Sequence, residues 1–321
     1  MSKTNWSARE AAGEVQPLRP VTPTEQDVVA RSILVTGVAR SGTSLIGNII
    51  HSCQGVEYTY EPPALLALFS KIEMMFSVAE TSGLWQFFYE SYLFRDFLMP
   101  ALAGRRLNFR GGDESDIYTV KTVNEVLNRL NGPGRDAHIY PQALQATIAY
   151  KLPDILPYLK WLVISYPETR IVVMLRNPAD VIASLRNKGW FSVQGLRQEW
   201  ANWPLRAPQT PFWVPQQQEP FWLEANEAER CFFYYTWQYN SLLLDFPSGP
   251  PEKMVLLDYD SLIANPVRDT MALLSELGLH AGPKTDDLIG SIQPRVATRL
   301  LDSPLGNLHG QVKAWYAGKV P

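Results

Sequence analysis

Residues 32–52 constrain this chain more than any other segment. SILVTG, from Ser32 to Gly37, is a short apolar run with a β-branched centre. That is the pattern of a strand buried on both faces in a parallel sheet. GVARSGTS follows from Gly37 to Ser44, and TSLIGNIIHS then resumes helical spacing through Leu45, Ile49 and Ile50. Strand, glycine-rich turn and helix open an α/β domain. The loop has the Gly-x4-Gly skeleton of a phosphate-binding loop, with Thr43 where such loops carry lysine. Backbone N–H groups of Gly42, Thr43 and Ser44 can meet an anion at the helix start. Arg40 can add a bidentate cation, and the two hydroxyls add donors. An ordinary strand-to-helix turn needs neither.

A second segment carries the same kind of chemistry. TRIVVML, Thr169 to Leu175, reads as another central strand, and PADVIASLRNKG as a helix starting at Pro178 with Asp180 in its first turn. Arg176 closes that strand and Ser184 lies eight residues on. A cation at a strand's carboxyl end and a hydroxyl over the next helix can hold a second phosphate. Each alone could be a surface cation and a helix-face filler.

The rest supplies the frame. The region after the first helix is mostly helical, and Trp85, Phe88, Tyr92 and Leu93 form an aromatic stripe that reads as core. IYTVKTV reads as a strand, QATIAYKLP as another ending near Lys151, and LPYLKWLVISYP as a helix stopped before Pro167. Six of the ten tryptophans fall between Trp190 and Trp237, among prolines and glutamines, which suits an active-site cover. ERCFFYYTWQYNSLLL then reads as a helix, EKMVLLDY as a strand, and NPVRDTMALLSELGL as a helix ending near Gly278. The expectation is a polar leader over 1–30, then one domain over 31–321. That domain is a three-layer α/β/α unit with a mostly parallel central sheet and a helical, loop-rich cap that includes 189–230.

Charge bounds the partners. Lys and Arg number 29 against 32 Asp and Glu, a net charge of −3. That argues against a basic surface for nucleic acid and leaves room for a local cationic pocket. Two cysteines make no disulfide framework, and His51, His138, His280 and His309 show no metal-binding spacing. No stretch approaches the roughly 18 apolar residues of a membrane helix, and the start lacks a basic segment followed by an apolar run. The chain is expected to be cytoplasmic, with no bound metal, membrane span or nucleic acid.

Taken together, GVARSGTS and LRNPADVIAS resemble the two nucleotide motifs of the sulfotransferase superfamily that uses 3′-phosphoadenosine 5′-phosphosulfate (PAPS). The match is nearer its bacterial and Golgi-type branch, and it implies a P-loop-like fold. The resemblance assigns Arg40, Ser41, Gly42, Thr43 and Ser44 to the 5′ end of the donor, and Arg176 and Ser184 to its 3′-phosphate. It extends to Tyr259, Asp260 and Leu262, similar to a Tyr-Glu-Asp-Leu segment of the family. Ala39 replaces a common proline and Asp260 a common glutamate, and neither change removes a phosphate ligand. Glu61, 21 residues after Arg40 and just before Pro62 and Pro63, matches the family's catalytic base. Lys151, in a Lys-x-Pro sequence sixteen residues before Pro167, matches the lysine that stabilises charge on the donor's bridging oxygen.

Rivals stay open at this level. Glu57 competes with Glu61, and Lys121 with Lys151. A kinase would want a lysine where Thr43 stands and an acid after a buried strand, which Asp258 supplies. A non-catalytic nucleotide-binding protein acting through its tryptophans is the other alternative. The acceptor implied is a hydroxyl on a small molecule, lipid or carbohydrate. The tryptophans could stack on sugars, line an apolar cleft or fill the cap core. Arg186, Lys188, Arg197 and Arg206 suit either an acidic acceptor or a solvated rim. The oligomeric state is open.

Overall fold

The computed structural model describes residues 20–110, 115–132, 136–197, 204–293 and 303–318. Its strands are β1 (Ile33–Gly37), β2 (Val56–Tyr60), β3 (Thr147–Lys151), β4 (Arg170–Leu175), a small antiparallel pair β5 (Leu205–Ala207) and β6 (Thr210–Pro211), and β7 (Met254–Asp258). Five of them form one sheet in the order β2-β3-β1-β4-β7. Every pairing in that sheet is parallel.

Alternation along the strands divides the interior in two. Leu34, Tyr150, Ile171 and Val173 enter one core, while Ile33, Val35, Ala149, Val172 and Met174 enter the other. Each fully buried Val, Leu, Ile or Met contributes about 1.5–3 kcal/mol. A one-residue slip would exchange the two faces, so the register is strongly specified. Helix α2 (Thr43–Ser52) covers the second face with Ile46, Ile49 and Ile50. The long helix Glu227–Asp245 covers the first with Tyr234, Tyr239 and Leu242. The expected three-layer α/β/α architecture is present. Because the five strands run the same way, Gly37, Tyr60, Lys151, Leu175 and Asp258 all end at one rim, where the loops of an open α/β sheet form its site.

Several local expectations change. Helix α1 (Pro23–Ala30) lies inside the expected leader; Thr22 and Glu25 make a capping box, Pro23 opens the first turn, and Val28 and Val29 are buried. IYTVKTV is not a strand: Ile117–Val120 is one helical turn capped by Asp116, and Thr122 with Glu125 starts a second helix, Val123–Asn131. Capping groups override β-branched composition there. The aromatic stripe is only partly core, with Trp85 and Leu93 buried but Phe88 44% exposed. The helix passes into a π-helical segment at Tyr92–Leu98, whose wider turn resets the face presented to the interior. Cys53 and Cys231 are free and buried. Among the described residues no helix is long and apolar enough to cross a membrane.

The tryptophan-rich segment forms short helices and the β5–β6 pair. Trp213 and Trp222 are buried edge to face, 5.1 Å between ring centroids, and pack with Phe191 against the long helix. These two are core, not a stacking surface. Trp200 and Trp203 lie outside the described residues.

Candidate active site

The loop after β1 is built around unusual backbone. Gly37 has φ +136°, and a Cβ there would lie 2.6 Å from the Met174 carbonyl oxygen. Gly42, the N-cap of α2, has φ +96°, and a Cβ would lie 2.4 Å from the Tyr259 ring. Both positions require glycine. Four non-glycine residues have positive φ among those described, and three of them, Arg40, Glu61 and Asp154, sit at this rim. Strained backbone concentrated this way marks a site that its surroundings hold in place.

Three strands bring the catalytic candidates together. Lys151 ends β3, where it pairs in register with Val35 of β1 and Tyr60 of β2. The next residue of β2's chain, Glu61, donates its N–H to the Lys151 carbonyl at 3.0 Å. Lys151 Nζ lies 2.7 Å from Glu61 Oε1 and donates to Ser44 Oγ at 2.7 Å. The ammonium is nearly enclosed, whereas the Glu61 side chain is 48% exposed. An acid on the open side of a buried cation can meet an incoming hydroxyl.

The loop after β1 and the segment after β4 touch directly. Arg40 Nε donates to Ser184 Oγ at 3.0 Å, and Arg176 donates to the Arg40 carbonyl at 2.9 Å. The Arg176 guanidinium lies 4.5 Å from the Tyr259 ring centroid, and that of Arg40 5.8 Å from Trp190. Arg40, Gly42, Thr43, Ser44, Glu61, Lys151, Arg176, Trp190 and Tyr259 line one cavity of about 210 Å³. Ser41 differs from expectation: its hydroxyl is buried beneath the loop, 3.1 Å from where a Cβ on Gly37 would be. Ser184 reaches the cavity through Arg40.

The two rivals are structural. Glu57 is buried in β2 and holds Arg129 through both oxygens, at 2.7 and 2.9 Å. Lys121 is buried and donates to the Cys53 carbonyl at 3.1 Å, and burial lowers its pKa. Asp258 caps the helix Tyr259–Ala264 and pairs with Lys313. Asp260 accepts the Asn177 N–H at 3.2 Å; burial, then Asp258, raise its carboxyl pKa.

One carboxylate that matters escaped sequence reasoning. Asp154, 1% exposed, accepts the Ala39 N–H at 3.1 Å and the Tyr234 hydroxyl, and donates its own N–H to the Gly37 carbonyl. Tyr234 stays a phenol, its pKa raised by burial and then by Asp154. From the same long helix, Gln238 donates to the Asp154 carbonyl, Tyr239 to Met174 and Tyr235 to Arg176. The helix thereby ties the ends of β1, β3 and β4 together. Polar residues at 234, 235, 238 and 239, inside an otherwise apolar stripe, were the available signal.

The sulfotransferase-family model matches residues 32–283, which contain every residue lining the cavity. The chain belongs to the sulfotransferase family. This sulfotransferase is also similar to solved structures. The sulfotransferase domain of an olefin synthase from Synechococcus PCC 7002 is 15% identical over 90% of this chain and 95% of that one, with a TM-score of 0.46. A sulfotransferase from Alicyclobacillus acidocaldarius is 15% identical over 90% and 92%, with a TM-score of 0.38. STF1 from Mycobacterium tuberculosis H37Rv is 15% identical over 92% and 79%, with a TM-score of 0.42. No curated protein sequence matches significantly.

Proposed function

We propose that this sulfotransferase moves the sulfuryl group of PAPS to a hydroxyl of a small-molecule, lipid or carbohydrate acceptor, leaving adenosine 3′,5′-bisphosphate. The convergence of Lys151 on both Glu61 and Ser44 carries this reading. It joins a base, a cation and the first turn of an anion-binding helix in one cavity.

The residues suit such a donor. The first N–H groups of α2 have no intrahelical acceptor. Gly42, left-handed and packed against the Tyr259 ring, sets the turn into α2, and Arg176 Nε is buried without a partner. Arg40 with the loop would hold the 5′ end, and Arg176 with Ser184 the 3′-phosphate. The donor supplies an activated sulfuryl group. Glu61 takes the acceptor proton as the new S–O bond forms, and Lys151 offsets charge on the departing phosphate oxygen. Free buried cysteines fit the cytoplasmic setting proposed here. Incubation with PAPS and an acceptor panel, read by release of adenosine 3′,5′-bisphosphate, tests the reading. Failure of that nucleotide to bind in calorimetry would defeat it.

A further inference from the structure

Beside the edge strand β2 lies a second cavity of about 430 Å³, twice the volume of the donor cavity. Tyr58 and Tyr60 of β2 and His51 of α2 form one side, and Arg106, Asn108 and Arg110 line the other. Tyr58 and His51 are each only 5% exposed, and Tyr58 Oη and His51 Nδ1 have no hydrogen-bond partner. Their rings stack at 5.9 Å. A buried polar atom left unpaired is costly and calls for an explanation. Tyr58 Oη is turned onto α2, 2.4 Å from where a Cβ on Gly47 would lie, so His51 Nδ1 is the group that a polar ligand here would account for. Burial, then Lys121 and Arg129, lower the His51 pKa, so the imidazole is neutral and can either donate or accept. Arg106 pairs with no carboxylate among the described residues; it engages the Tyr92 phenol. The cavity adjoins the catalytic groups through Tyr60, whose ring centroid is 5.9 Å from Lys151 Nζ and whose chain neighbour is Glu61.

We propose that this cavity is the acceptor pocket and that it selects a hydroxylated acceptor carrying an oxyanion, a carboxylate or phosphate, held by Arg106 and Arg110. The proposal rests on the sulfuryl-transfer reading above. A guanidinium pair suits an oxyanion because each presents a planar fork of donors. The neutral His51 meets an uncharged polar group of the acceptor. Tyr60 flanks its path to Glu61.

The test is calorimetric titration of the full chain, saturated with adenosine 3′,5′-bisphosphate, using two matched pairs of probes. One pair is 4-hydroxyphenylacetate and its methyl ester; the other is glucose 6-phosphate and glucose. In at least one pair the charged member should bind tenfold or more tightly, and the pair that shows it identifies the oxyanion. The double variant Arg106→Ala, Arg110→Ala should lose that advantage while its affinity for adenosine 3′,5′-bisphosphate stays within twofold. His51→Phe should weaken charged and neutral members alike. Equal binding in both pairs, no binding of any probe, or a preference that survives the double variant overturns the pocket assignment. A folded protein that fails to bind adenosine 3′,5′-bisphosphate overturns the donor reading instead, and the proposal with it.

Discussion

Lys151 Nζ sits 2.7 Å from Glu61 Oε1 and 2.7 Å from Ser44 Oγ, so one ammonium bridges the end of β2 and the first turn of α2. The proposed donor loop and the proposed base therefore share a cation. Changes at one should be felt at the other.

Glu61→Gln keeps the side chain's size but cannot take a proton. Turnover should fall by roughly 10²–10⁴ with donor affinity nearly unchanged. Combining it with Lys151→Ala should cost less than the two separate losses added, because both act on one step. Glu57→Gln should keep activity in the folded fraction but lose about 1.5–3 kcal/mol of stability through its Arg129 pair. Steady-state kinetics and denaturant melts separate the three; near wild-type turnover in Glu61→Gln at saturating donor would remove it as base.

Arg176→Ala should weaken PAPS about ten- to hundredfold, and adenosine 5′-phosphosulfate much less. Some loss on both is expected, since Arg176 also donates to the Arg40 carbonyl. Equal losses in calorimetry would place the 3′-phosphate elsewhere.

Gly42→Ala puts a methyl group on a left-handed residue and against the Tyr259 ring. The loop must shift, and donor affinity should fall at least tenfold while the fold persists. Tyr259→Ala in the same chain removes the collision but not the backbone strain, so it should restore only part. Full affinity in Gly42→Ala would show that the cradle tolerates a side chain.

Acid should loosen the protein before its carboxylates titrate. His51 and His309 have pKa values lowered chiefly by burial. Above the unfolded value near 6.5 both are neutral in either state, and stability is unaffected. Below it the unfolded chain binds protons that the folded chain refuses, so stability falls with pH until the folded values are reached. Thermal melts from pH 8 to 5 should show this decline, shallower in His51→Gln. A flat profile would mean the imidazoles are not held neutral.

Much of this was legible in the residues. Arg40 through Ser44 advertise an anion site because glycine, arginine and hydroxyls cluster where a strand becomes a helix, and β1, β3, β4 and β7 follow from apolar runs. Glu61 and Lys151 came from a resemblance, not from periodicity; apart from the Pro62-Pro63 pair after Glu61, nothing local separates it from Glu57. Only the sheet does so, by burying Glu57 against Arg129 and letting the chain turn at Glu61. Asp154 was invisible for a similar reason. An aspartate after Lys-Leu-Pro reads as a turn, and its partners Ala39 and Tyr234 are 115 and 80 residues away. The helices opened by the capping boxes at Thr22 and Thr122 went unread, because prolines and β-branched residues dominate those stretches.

The long helix Glu227–Asp245 has a consequence for how the molecule is assembled. During synthesis the phosphate loop leaves the ribosome nearly two hundred residues before Tyr234 and Tyr239, and before the rest of the helix that fixes it. Contacts so distant in sequence form late, because closing the intervening chain costs entropy before they reward it. The nascent chain therefore carries a loop of the right composition with nothing behind it. The geometry of the proposed anion site arrives only when the last third of the protein folds back beneath the first.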